Sequence, residues 1–288
     1  MAERLQKILA NTGLASRREL ERWITAGEIN VNGKVASLGA KADVNDNLTV
    51  RGRFYRVVSE EGSSQRVIAY HKPLGELTTR SDPENRKTVF DRLPRLRSGR
   101  WISVGRLDIN TLGLLLLTTD GELANALMHP SKGVQREYAV RVNGRVSDDI
   151  LERLREGVEL EDGPASFERV WADEQGGSSA NQWFRVIVRE GRNREVRRLW
   201  ESQGLLVSRL IRVRYGPIVM AKWLTRGKFA DVDPRQVEEL RKAAGLETGK
   251  GQGATLTAVP VHPRHKRKAK ARSKSGGKSS SNRWPARA

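Results

Sequence analysis

An apolar run, Leu112 to Leu117, lies inside the stretch GRLDINTLGLLLLTTDGELANALMHP, Gly105 to Pro130, and it fixes a piece of core almost beside one acid. That acid, Asp108, stands between Leu107 and Ile109, just after Arg106. A lone carboxylate held near a core and beside cations suits a nucleophile that must stay ionised at neutral pH. The same spacing also describes an ordinary turn aspartate paired with an arginine, and such surface pairs are common and weak. Spacing alone favours the plainer reading.

The chain has 288 residues, enough for a small domain and a larger one. Its hydrophobic content, 37%, is below the usual globular share and implies some unpacked polar length. The net charge is +19, from 53 Lys and Arg against 34 Asp and Glu, which points to a polyanionic partner, RNA or DNA first. Eleven cations follow Glu247, the last acid, and without them the rest still carries +8. The tail is therefore not the only reason to expect such a partner.

The absence of cysteine excludes disulfides, thiolate zinc sites and a cysteine nucleophile, and it fits a reducing cytoplasm. No apolar run approaches the ~20 residues of a membrane span, and the charged N-terminus, MAERLQKILANTG, has no signal-peptide core. The four histidines, His71, His129, His262 and His265, have no ligand spacing. His129 reads as a helix end before Pro130, and His71 as structural. There is no Walker motif and no GxGxxG.

Residues 1–60 read as a compact module. Leu5, Ile8 and Leu9 recur at helical spacing, and Ser16-Arg17-Arg18-Glu19 forms a capping box that opens a second helix through Leu20, Trp23 and Ile24, with Gly27 placed to end it. GEINVNGKVA alternates around Asn32-Gly33, a strong hairpin signal. Glu60 to Gln65 reads as a linker, and a strand begins at Val67. Across 66–240 the pattern is α+β. Strands are expected at Tyr138–Val142, Trp183–Val188 and Val207–Tyr215. Helices are expected after Ser147, ending at Gly157, and over Asn193–Trp200. If that last segment is helical, Arg194, Arg197 and Arg198 share a face. Residues 241–288 are rich in Gly, Ser, Lys and Arg, so a disordered basic tail is expected, with Trp284 an isolated aromatic within it.

Four blocks occur in one order: HKPLGELTTRSDPENRKTVFDRLP, GRLDINTLGLLLLTTDGELANALMHPS, REYAVRV and EGRNREVRRLW. Together they resemble the pseudouridine synthases, in the branch that modifies single sites in ribosomal RNA, and the likeness extends over residues 1 to about 240. The N-terminal module resembles the S4 domain of ribosomal and RNA-modifying proteins. The resemblance implies a mixed, largely antiparallel catalytic sheet over 66–240. It implies Asp108 as the catalytic carboxylate, which attacks the sugar or stabilises the detached ribosyl fragment. Tyr138 matches the family's active-site tyrosine, which would stack on the uracil and could help remove the C5 proton. Arg197 falls on the position that pairs with the acid. The competing readings are a half-buried strand tyrosine and a plain RNA-contact helix.

The RNA-contact candidates are Arg17, Arg18, Arg22 and Lys34 in the first domain, and Lys72, Pro73, Arg80, Arg106, Arg192 and Arg194 around the cleft. The isomerisation involves no redox change or energy input, so neither organic cofactor nor metal is expected. The target uridine must leave its stack, which costs a few kcal/mol and is easiest in loops. The resulting expectation is an rRNA uridine isomerase acting as a monomer, in the cytoplasm, on a stem-loop of large-subunit (23S) ribosomal RNA or its precursor. Two alternatives stand beside it: the same chemistry on small-subunit RNA, and a non-enzymatic S4-type RNA-binding or assembly protein. The second would not need Asp108, Tyr138 and Arg197 together.

Overall fold

The computed structural model describes residues 2–60, 65–96, 99–173, 181–247 and 255–261. A two-residue strand, Glu3–Arg4, paired with Lys41–Ala42, precedes α1 (Leu5–Asn11) and α2 (Arg17–Thr25). Ser16 caps α2, its Oγ accepting from the Glu19 amide at 3.1 Å. Glu19 does not return the second bond of the expected capping box; its carboxylate takes Arg22 at 3.0 Å and Trp23 Nε1 at 3.1 Å. Gly27 follows the helix at φ +71°.

The hairpin expected at Asn32-Gly33 joins β1 (Ile29–Val31) to β2 (Lys34–Val35). Its two turn residues sit at φ 50° and 83°, both positive, as a two-residue turn matching the strand twist requires. β3 (Asn47–Val50) and β4 (Arg53–Glu60) extend the sheet, and Leu5, Ile8, Leu20, Ile24 and Leu48 are buried with it. Of the expected linker, Glu60 ends β4 and 61–64 lie outside the described residues.

The larger domain contains β5 (Val67–Lys72), β6 (Leu112–Thr118), α3 (Gly121–Met128), β7 (Arg136–Asn143) and α4 (Asp148–Glu156). It continues with β8 (Arg169–Ala172), β9 (Asn181–Val188), α5 (Glu195–Glu201), β10 (Leu206–Tyr215), β11 (Phe229–Asp231) and α6 (Pro234–Ala243). The sheet order is β8-β9-β7-β10-β6-β5-β11, with Ile102–Ser103 and Ile218–Val219 attached to β6 and β10. Every pair is antiparallel except β6 with β10. This is the α+β, mainly antiparallel architecture expected.

The apolar run is β6, and all seven of its residues are buried. Leu115 and Leu117 face one core and Leu114 and Leu116 the other, which is why the strand reads as continuous rather than alternating. Burying each leucine contributes about 1.5–3 kcal/mol. Gly113 interrupts the run for a steric reason. It pairs with Arg212 across the parallel junction at φ +105°, and a Cβ there would lie 2.2 Å from the Arg212 carbonyl oxygen. Only glycine lets β6 approach β10 this closely.

Two expectations need correction. Arg194 is not helical: it precedes α5 in the left-handed region, at φ 50°, so it does not share a helical face with Arg197 and Arg198. Residues 241–247 and 255–261 do not belong to a disordered tail. α6 runs through Ala243, with Leu240 and Ala244 buried, and Arg241 pairs with Asp120 at 2.7 Å. β12 (Thr255–Pro260) then pairs antiparallel with β4, returning the chain to the first domain and burying Leu256 and Ala258 in its core. The first-domain sheet is thus β12-β4-β3-β1-β2. The segment Thr255–Pro260 is short and stands alone between a glycine-rich stretch and the basic end of the chain, so its alternation of Leu256 and Ala258 with threonines does not stand out as a strand. Residues 262–288, including Trp284, lie outside the described residues.

Candidate active site

Asp108 lies in the loop between Ile102–Ser103 and β6, and the loop's backbone is held almost carbonyl by carbonyl. Leu107 O accepts from Thr78 Oγ1 at 2.9 Å, and Ile109 O from the Gly75 amide at 2.9 Å. Asn110 O accepts from Arg197 Nη2 at 2.9 Å. Lys72 Nζ donates to Asp108 O at 2.9 Å, Thr111 O at 3.0 Å and Pro73 O at 3.1 Å. Asp108 O also accepts from the Thr111 amide, closing a turn. Segments from the first and last of the four sequence blocks therefore grip the second. A loop fixed this way presents a carboxylate at a defined point, which is what orientation-dependent catalysis requires.

Asp108 and Tyr138 line one cleft of about 900 Å³. Tyr138, on central strand β7, is 9% exposed and pairs in register with Arg212 of β10. Six arginines line the cleft (106, 136, 189, 192, 194 and 212) against three acids, Asp108, Glu190 and Glu195. That excess makes the opening basic, so it attracts a polyanion.

Arg197 does not line the cleft. It is buried behind the loop, with Nη1 on Val207 O at 2.8 Å and Nη2 on Asn110 O, and no ion pair joins it to Asp108 among the described residues. Burial lowers its guanidinium from the ordinary value, while the nearby Asp108 charge acts in the opposite sense. The two expected partners are close enough to interact electrostatically, but their physical link is the loop backbone.

The RNA-contact candidates divide. Arg17, Arg18, Arg22, Lys34, Arg80, Arg106 and Arg194 are exposed. Lys72 is not a wall of an RNA cleft: it is 0% exposed and all its contacts are internal. Burial pushes it down to about 8, with Glu76 and Asp108 opposing. Arg192 lines the cleft, but its donors are occupied by Glu190 and the carbonyls of Gly163 and Pro164. Arg198 makes a two-pronged pair with Asp162, at 2.7 and 2.9 Å.

Sequence reasoning missed three cleft arginines, Arg136, Arg189 and Arg212. Arg136 donates to Arg189 O at 2.6 Å and Glu190 O at 2.8 Å, holding the turn that precedes α5. Arg212 is 2% exposed; its Nε donates to Leu114 O at 2.7 Å and its Nη2 has no hydrogen-bond partner. The Arg136 and Arg212 guanidinium groups both lie 5.1 Å from the centre of the Tyr215 ring. The signal was present in REYAVRV and RLIRVRY, where arginines recur within apolar strands. Glu195, at the start of α5, was also missed. Burial and the neighbouring Glu190 raise its carboxyl to about 7.

Comparison with known proteins identifies the class. The RNA pseudouridylate synthase family matches residues 66–202, and the S4 domain family matches residues 3–48. Ribosomal large subunit pseudouridine synthase B of Pseudomonas aeruginosa is 54% identical over 268 residues, spanning 93% of this chain and 69% of that protein. The protein of the same name from Yersinia pestis is 52% identical over 269 residues, spanning 93% and 82%. A solved structure described as a pseudouridylate synthase shares the fold, with a TM-score of 0.57 and 24% identity over 82% of this chain and 99% of its own. The chain belongs to the RNA pseudouridylate synthase family, with an N-terminal S4 domain.

Proposed function

We propose that this enzyme converts one uridine to pseudouridine in a stem-loop of large-subunit ribosomal RNA, with Asp108 as its catalytic carboxylate. The observation that carries the reading is the placement of Asp108, on a loop held by Lys72, Thr78, Gly75 and Arg197, in the same basic cleft as Tyr138. The large-subunit target rests on the names borne by relatives at 52–54% identity. The uridine leaves its stack and enters the cleft. Asp108 attacks the sugar, or stabilises the ribosyl fragment, as the C1′–N1 bond breaks. The uracil leaves with the electron pair of the broken bond and turns against the Tyr138 ring; C5 bonds to C1′, releasing Asp108 where it had attached, and the proton lost from C5 is balanced by one taken up at N1. Arg197 acts as a positioning residue through Asn110 O. Asp108 and Tyr138 come from one chain, so a monomer suffices.

The test is to map pseudouridine, with chemistry specific to the isomer, in ribosomal RNA from a strain lacking the gene. The unaltered gene should restore one site in the large subunit, and Asp108→Asn should not. Restoration by the Asn variant would overturn the assignment. Asp82→Asn is a suitable control, since among the described residues the Asp82 carboxylate pairs with neighbouring groups of its own loop. Asp120 is not, because it caps α3 and pairs with Arg241 inside the protein.

A further inference from the structure

Three arginines meet where the S4 domain touches the catalytic domain, and none has a carboxylate partner among the described residues. Arg100 stands at the centre. Its Nη1 crosses the seam to Ala15 O at 3.2 Å, and its Nε is buried without a hydrogen-bond partner. Arg80 lies 4.4 Å over the Phe90 ring and donates to the carbonyl of Trp101, the next residue after Arg100. Arg17, two residues beyond Ala15, reaches across to the catalytic domain. Its Nη2 lies 3.8 Å from where a Cβ on Gly121 would be, and Gly121 itself packs on Ile102. The seam is close-packed here: a Cβ on Gly13 would lie 2.7 Å from Gly99 O. Burial lowers the Arg100 guanidinium, and the charges of Arg80 and Arg17 lower it further.

Like charges gathered at a partly buried seam repel one another unless an anion joins them. Among the described residues, the contacts at the seam occupy only part of these three guanidinium groups. Arg17 makes no hydrogen bond or ion pair among the described residues, and Arg80 needs only one donor for Trp101. We propose that Arg17, Arg80 and Arg100 form a seat for one phosphodiester of the substrate RNA. This rests on the substrate reading above and extends it. The S4 domain would then be more than a separate tether. It would supply Arg17 to a site completed by two catalytic-domain arginines, so that one phosphate fixes both domains against the RNA. The distance from that phosphate to the cleft would help select the uridine presented to Asp108.

The experiment is a double-substitution cycle on the full chain with Arg17→Gln and Arg80→Gln, one from each domain. Binding of a stem-loop RNA is followed by fluorescence anisotropy from 50 to 200 mM salt, alongside the melting temperature of the free protein. One shared phosphate predicts that each single change flattens the log–log salt slope by about 0.7–0.9, and that the pair flattens it by no more than a single change. The corresponding loss of salt sensitivity is about threefold across that range. The melting temperature of Arg17→Gln should hold or rise, because Arg17 makes no hydrogen bond or ion pair among the described residues and repulsion is relieved, whereas Arg80→Gln also gives up the Trp101 bond and the Phe90 contact. Arg100→Lys keeps the charge and should weaken binding less than Arg100→Gln. Additive slope changes would mean separate phosphates and overturn the shared seat. An unchanged slope with a lowered melting temperature would mean the cluster is structural. Isomerisation of the same RNA by the unaltered protein is measured in parallel. If that fails, the substrate assignment is wrong, while the slope comparison still decides the seat.

Discussion

Replacing Lys72 with methionine should slow isomerisation strongly and leave RNA binding almost untouched. The side chain is wholly buried, and its ammonium donates three bonds of 2.9–3.1 Å to the carbonyls of Pro73, Asp108 and Thr111. Methionine has a similar length and no donor. A hydrogen bond from a charged group contributes about 1.5–3 kcal/mol net, but removing the buried cation also relieves a desolvation cost. The balance is a loop loosened by roughly 2–4 kcal/mol rather than the sum of three bonds. A shift of about 1 Å in the carboxylate would lower kcat on the order of a hundredfold. The assay is single-turnover isomerisation at saturating stem-loop RNA, with anisotropy binding and a thermal melt on the same preparation. Because burial sets Lys72 at about 8, raising the pH through that value removes one donor. The unaltered enzyme should therefore lose activity above about pH 8, a limb that Lys72→Met should lack. A variant with normal kcat and a flatter salt slope of binding would refute the reasoning, since it would show Lys72 reaching RNA.

Tyr138→Phe should keep most RNA affinity and test the hydroxyl alone, whereas Tyr138→Ala should lower kcat further by removing the ring; equal kcat values for the two would exclude stacking. Arg197→Ala should lower kcat far more than affinity, because its contact is with Asn110 O and not with solvent; a defect confined to binding would contradict that. Glu195→Gln should stabilise the protein increasingly as pH rises. The folded carboxyl, at about 7, binds a proton that the unfolded one loses near its ordinary value of 4.5, so the parent loses up to roughly 3 kcal/mol of stability across that window. The melting-temperature difference should grow from pH 5 to pH 8, and an equal difference at both would dismiss the effect. Truncation after Lys250 removes β12 and should lower S4-domain stability by roughly 2–4 kcal/mol through loss of Leu256 and Ala258 burial, while truncation after Val261 should only reduce RNA affinity. Equal melting temperatures for the two truncations would show that β12 adds nothing to the domain.

Much of the fold was legible because the relevant signals are local. The Asn32-Gly33 turn, the Ser16 cap and the apolar β6 run depend on neighbouring residues, and each appears where expected. The α5 start was misplaced because a sequence of helix-forming side chains does not reveal that Arg194 adopts φ 50°. β12 was missed because its partner, β4, lies about two hundred residues away in the chain, and pairing across that separation leaves little trace in six residues. At the site, Asp108 and Tyr138 were placed by the order of four sequence blocks, and the structure brings them to one cleft. Arg212 stayed hidden because its importance comes from burial opposite Tyr138, a consequence of sheet register.

The misread cations share a physical cause. A lysine or arginine in a basic chain invites assignment to phosphate, because charge is visible in sequence and the target of each N–H is not. Counting occupied donors separates the cases. Lys72 has three donors and three internal carbonyls, so nothing remains for RNA. Arg192 and Arg197 also use their guanidinium edges inside the protein. Arg17, Arg18, Lys34 and Arg106 make no such bonds among the described residues and face solvent. Lys72 and Arg197 therefore fix where the carboxylate stands, Arg192 ties Glu190 to the 163–164 turn, and the second group can reach the polyanion. Loss of a cation from the first group should appear in kcat, whereas loss from the second should appear in the salt slope. A basic family motif is thus composed of two populations with different jobs, divided by which carbonyls each side chain can reach after the sheet has closed.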